Sequence, residues 1–219
     1  TPATGYVTTS NLATYATASA GVTINNAIYS TKLISIKGAS YTSQGIAYSA
    51  VMNSSAGGVE LTGTTYNNYG VYTSNASLIT ANYITINGYA AAAVGGWIDY
   101  IGALTINSGS TGGDIAITAT GASAGGGNGL YQSGAITGAN GSDITFTSNN
   151  AISQNGAITL AANTSGNTAT LTYDTTSGTK ASTITSGTLT LTTGSSSDIN
   201  FVMKSAGSAI NPGVIGTSS

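Results

Sequence analysis

The chain reads as all-β: a right-handed parallel β-helix (β-solenoid) with three short strands per coil of about 25–31 residues, six complete coils and partial coils at both ends. Three observations carry this reading. Short alternating apolar segments recur along the chain. They sort into three families that follow one another in fixed order. The composition is that of β-structure, with 40% hydrophobic residues, 31 glycines and only 5% charged residues.

The first family is Leu33-Ile34-Ser35-Ile36, Val59-Glu60-Leu61, Ile84-Thr85-Ile86, Ile115-Ala116-Ile117, Ile144-Thr145-Phe146, Ala169-Thr170-Leu171 and Ile199-Asn200-Phe201. Its steps are 25 residues twice, then 31, 29, 25 and 30. The second family is Gly45-Ile46, Gly70-Val71, Trp97-Ile98, Gly129-Leu130, Ala151-Ile152 and Thr183-Ile184. The third is Ala50-Val51, Leu78-Ile79, Leu104-Thr105-Ile106, Ala135-Ile136-Thr137, Ile158-Thr159-Leu160 and Leu189-Thr190-Leu191. The interval from second to third family stays between five and seven residues, as a tight corner requires. That from first to second runs from 8 to 15, as a loop that tolerates insertion allows. An antiparallel meander has no reason to repeat such a triplet, whereas a solenoid must place each strand under its counterpart in the preceding coil.

Alternation assigns the faces, because neighbouring side chains on a strand point to opposite sides. Ile34, Val59, Ile84, Ile115 and Ile144 fall in one inward column; Ile36, Leu61, Ile86, Ile117 and Phe146 fall in the next. One coil buries too little apolar surface to offset the ordering of its own backbone, so neighbours must complete it. Parallel crossovers are right-handed in nearly all cases. Asn87-Gly88, Asn128-Gly129, Asn140-Gly141 and Asn155-Gly156 are read as corners with positive φ. Gly21-Val22-Thr23-Ile24 reads as the third strand of an earlier coil, and Ile210 and Val214-Ile215 continue the pattern after the last. Both prolines, Pro2 and Pro212, lie at the extremes. Residues 1–219 therefore read as one solenoid segment, a fragment of a longer repeat array.

Composition narrows the chemistry. There is no histidine, cysteine or arginine; four lysines and six acids give a net charge of −2. Four scattered lysines cannot make the basic stripe that nucleic acid requires. No apolar run approaches a membrane span of roughly 18–20 residues, and thiolate zinc sites and disulfide scaffolds have no cysteine to build on.

Asp114, Asp143 and Asp198 each stand just before a first-family strand. They read as turn residues bonding the backbone. The alternative, a calcium ladder, calls for Gly-Gly-x-Gly-x-Asp repeats, and Gly112-Gly113-Asp114-Ile115 keeps neither that spacing nor its period. Polysaccharide-degrading β-helix chemistry needs paired carboxylates or a base beside acidic ligands. Glu60 and Asp99 are the one imaginable pair, and they lie in different strand families and coils. The expectation is no enzyme activity and no cofactor. Thr105, Thr137, Thr159 and Thr190 form an outward column, which raises an ice-binding reading, but the second rank reads Asn107, Ala139, Ala161 and Thr192. Thr is also a favoured strand residue. Eleven of thirteen tyrosines precede residue 101. Tyr41 and Tyr66 share a loop position 25 residues apart, with Tyr69 and Tyr72 nearby and Trp97 in the next coil. These five are the candidate contacts for surface glycans or a neighbouring chain.

The segment Gly113-Asp114-Ile115-Ala116-Ile117-Thr118-Ala119-Thr120-Gly121, with Gly127-Asn128-Gly129-Leu130-Tyr131 and Gly134-Ala135-Ile136-Thr137, resembles the repeats of filamentous-haemagglutinin-type exoproteins. The resemblance extends over residues 20–215 and is one of repeat style; the amino-terminal secretion domain of that family is not among these residues. It implies a long β-helical fibre on a bacterial cell surface, secreted through an outer-membrane partner, which holds a binding tip outward or associates laterally. The expected function is thus a structural shaft of an adhesin or extracellular filament, with self-association as the main partnership. A carbohydrate- or ice-binding solenoid module is the alternative.

Overall fold

A computed structural model describes residues 19–73, 77–92, 98–100, 102–107, 113–121, 128–162, 166–178, 184–194, 197–205 and 210–218. Every pairing between strands is parallel, and the strands fall into three sheets that repeat in the order A, B, C along the chain. Sheet A holds Val22–Ile24, Ile46–Tyr48, Val71–Thr73, Ile98–Tyr100, Asn128–Gln132, Ala151–Gln154, Ile184–Thr185 and Ile210–Asn211. Sheet B holds Ile28–Ser30, Val51–Ser54, Leu78–Ala81, Ala103–Ile106, Ile136–Asn140, Ile158–Ala162, Leu189–Thr193 and Ile215–Ser218. Sheet C holds Ile34–Ser40, Gly58–Thr65, Tyr83–Ala90, Ile115–Gly121, Asp143–Ser148, Thr168–Asp174 and Asp198–Lys204. The three sequence families are these sheets: the first is C, the second A, the third B.

The inward columns stack as their alternation requires. Ile34, Val59, Ile84, Ile115 and Ile144 are register partners in turn, and each is buried. Two details differ from the sequence reading. Val22-Thr23-Ile24 pairs with Ile46-Ala47-Tyr48, so it is a sheet A strand, and the sheet B strand of that coil is the unremarked Ile28–Ser30. In the sixth rung of sheet C, Ile144 pairs with Leu171 and Phe146 with Tyr173, two residues later than the Ala169 alignment. A slip of two keeps every side chain on its face. It is favoured by ring contacts: Tyr173 stacks on Phe146 at 4.9 Å between centroids and meets Phe201 edge-on at 6.0 Å.

The corner from sheet A to sheet B is built from buried polar side chains and glycines. Gln132 Nε2 donates to the carbonyls of Gly102 and Gly134, both at 3.0 Å. Gln154 Nε2 donates to the Gly156 carbonyl, while its Oε1 accepts from Gly187 N–H at 2.9 Å and from the Tyr173 hydroxyl at 3.1 Å. Gly213 N–H donates to Ser186 Oγ at 2.7 Å. Each amide or hydroxyl satisfies backbone groups that the turn leaves unpaired. Of the four Asn-Gly corners, Gly141 alone has a positive φ, 76°; the other positive-φ glycine among the described residues is Gly166. Gly156 is needed instead for closeness, since a Cβ there would stand 2.0 Å from the Gly134 carbonyl oxygen.

Candidate functional site, an aromatic and carboxylate surface

Register decides where the tyrosines meet. Ser40 and Thr65 are partners at the ends of their sheet C strands, so Tyr41 and Tyr66 follow one rung apart. Their rings stack at 4.6 Å with 5° between planes, close to the strand spacing itself. The loop backbone holds them there: Tyr66 N–H donates to Ser40 O at 3.3 Å, and Asn67 N–H donates to Tyr41 O at 3.2 Å. Tyr66 is 39% exposed. The next rung carries Ala91, whose N–H bonds Thr65 O, so the ladder is two rings long on that side.

Tyr69 and Tyr72 form a second pair, 5.8 Å and 27° apart, at the far end of the same connection. Tyr72 faces outward from sheet A. Its partner in the next rung is Asp99, and the partner of Asp99 in the rung after is Tyr131. Burial holds the Asp99 carboxyl above its usual range. The Tyr69 hydroxyl is also held up, first by burial, then by the charge of Asp99 and by Tyr72. On the other side of Tyr72, the small Ala47 side chain leaves a shallow cleft of about 180 Å³ lined by Thr23, Asn25, Ala47, Tyr48, Ser49 and Tyr72. Of the five aromatic residues singled out in the sequence, four thus form two pairs, and Trp97 lies outside the described residues.

The other candidates are placed as follows. Asp114 and Asp143 are neighbours, and Asp143 N–H donates to Asp114 Oδ1 at 3.2 Å. Asp198 falls out of that column, because the two-residue slip puts Asn200 opposite Thr170 and Thr170 opposite Asp143. Among the described residues, no three His, Cys, Asp or Glu side chains gather as metal ligands would. Glu60 faces out from sheet C, accepting from the Tyr83 hydroxyl at 3.1 Å, while Asp99 is on sheet A. The threonine column of sheet B is in register and begins one rung earlier, with Thr80. In its second rank a bulge puts Asn140, rather than Ala139, opposite Ala161. Asn107 there serves the fold, donating to Ser54 O at 2.9 Å and to Asn82 Oδ1 at 2.7 Å.

Asp99 and Tyr131 are the site residues that sequence reasoning missed. The signal was present: each stands one residue after the apolar member of its second-family segment, as Tyr72 does. Compared with protein-family models, curated proteins and solved structures, the chain matches none of the three.

Proposed function

We propose that this chain is a non-enzymatic structural shaft, a stretch of a secreted bacterial surface adhesin or extracellular filament. The observation that carries the reading is continuity. Three all-parallel sheets of eight, eight and seven strands run through one stack. Eight rungs span about 34 Å at the ordinary strand spacing. The inward side chains are committed to stacking and corner bonds, which suits a part whose task is length and stiffness. The bacterial surface location rests on the resemblance of the Gly113–Gly121 type repeats.

The test is cryo-electron microscopy of the purified protein, together with antibody labelling of intact source cells. Rods or filaments with an axial repeat of about 4.7–4.8 Å and labelling outside the cell are expected. Isolated particles that do not associate, and antigen reached only after lysis, would overturn the reading.

The parallel Tyr41/Tyr66 stack favours a second reading, a carbohydrate-binding module, since exposed aromatic faces pack against the apolar faces of sugars. On a glycan array this predicts specific retention that Tyr66→Ala abolishes. Retention indifferent to that substitution would remove it.

A further inference from the structure

The two eight-stranded sheets, A and B, contain one charged side chain in all their strands, Asp99. Its position in sheet A is uncharged in every other rung, from Thr23 to Asn211. The fold therefore has no need of a carboxylate there. Asp99 is half-buried, and among the described residues neither a lysine nor a hydrogen-bond donor meets it. Lys37 and Lys204 belong to sheet C, and Lys32 is exposed in the connection that leads into it. A half-desolvated anion without a partner is costly.

Its neighbours supply what an organic cation needs. Tyr72 and Tyr131 flank it in register, one rung to each side. Their Cα positions are therefore about 9.6 Å apart. A group in contact with both rings at roughly 3.5–4 Å from each fills that interval, above the carboxylate. Tyrosine faces attract cations, more strongly where water is partly excluded. A divalent metal ion would require several oxygens, and Asp99 brings a single carboxylate. A neutral sugar would leave the negative charge uncompensated.

We propose that Tyr72, Asp99 and Tyr131 form a binding site for an alkylammonium group, with the remainder of the ligand lying in the cleft over Ala47. This reading is independent of the shaft proposal, which is decided by assembly and location.

The test uses the whole chain and choline as the probe, in calorimetric titrations at low ionic strength. Choline is expected to bind, with its uncharged carbon isostere at least about tenfold weaker. Asp99→Asn should reduce choline to the level of the isostere, and added salt should weaken the wild type. Asp99 is on the outer face, so the variant should keep the wild-type circular dichroism spectrum. Tyr131→Ala tests the second wall and should also weaken binding. Absence of choline binding, equal binding of the isostere, or undiminished binding by Asp99→Asn would each refute the site. A neutral oligosaccharide that occupies it and survives Asp99→Asn would reassign it to sugar.

Discussion

Gly156→Ala isolates the feature on which the solenoid's closeness depends. Gly134, Gly156, Gly187 and Gly213 succeed one another at the corner between sheets A and B. An added Cβ would lie 2.0 Å from Gly134 O at position 156, 2.5 Å from Gly156 O at 187, and 2.2 Å from Gly187 O at 213. Ordinary contact begins near 3.4 Å, so alanine at 156 asks the rungs to part by more than 1 Å. The obstacle is backbone held in a ladder, not the end of a flexible side chain. Asn155 N–H donates to Gln132 O at 2.7 Å, and Gln154 ties the Gly156 and Gly187 backbones together. Overpacking costs typically 1–3 kcal/mol, and an unyielding backbone places this case near ~3 kcal/mol. With a urea dependence of about 2 kcal/mol per molar, the midpoint should fall by about 1.5 M. Because repeat arrays can open piecemeal, hydrogen exchange should show faster exchange centred on residues 132–160. Gly216→Ala is the control: its Cβ would meet only Leu189 O, at 3.7 Å, and its φ is not positive. That variant should lie within about 0.5 kcal/mol of wild type. If Gly156→Ala unfolded with the wild-type midpoint, the close approach of corner backbones would be wrong.

Tyr173→Phe removes a buried hydroxyl that donates to Gln154 Oε1, at a cost of about 1 kcal/mol. Burial pushes the Tyr173 phenol well above its ordinary value of 10, so its stabilising contribution is complete below about pH 10 and is lost as pH rises further. Urea melts above pH 10 should therefore show a falling stability that is shallower in Tyr173→Phe. Asp99 has a raised carboxyl, so its contribution is present below the ordinary carboxylate range and lost as pH rises through the raised value. Asp99→Asn should accordingly be at least as stable as wild type at pH 7 and indistinguishable below about pH 3, by thermal melts. Tyr66→Ala removes one half of a partly exposed stack and should cost at most about 1 kcal/mol, so any larger loss of glycan retention reports contact and not unfolding.

The architecture was legible in the sequence because a solenoid repeats its constraint in every coil. Ile34, Val59, Ile84, Ile115 and Ile144 announce their column by type and spacing alone, and the structure pairs them without exception. Legibility ended where the constraint is weaker than one residue. Between Ile144 and the next rung, Ala169 and Leu171 both point inward, so period-2 patterning cannot choose between them. What chooses is the fit of Tyr173 on Phe146, a contact between coils that no single segment contains. Likewise Val22-Thr23-Ile24 could belong to any sheet until its partner was known, since three residues carry alternation but no address.

The same reasoning explains why the candidate site was only half visible. Tyr41 and Tyr66 repeat at a constant 25 residues and identify themselves as a ladder. Tyr72, Asp99 and Tyr131 are separated by 27 and 32 residues and share no residue type, so only the pairing of Val71, Ile98 and Leu130 beneath them reveals one surface. Variable connections displace function in sequence while the rung spacing holds it together in space. In such a fold, the outward residue that breaks its column, with no partner to offset its charge, is the place to look for a ligand. Asp99 is that residue, and the stability gained by its amide should accompany the binding lost.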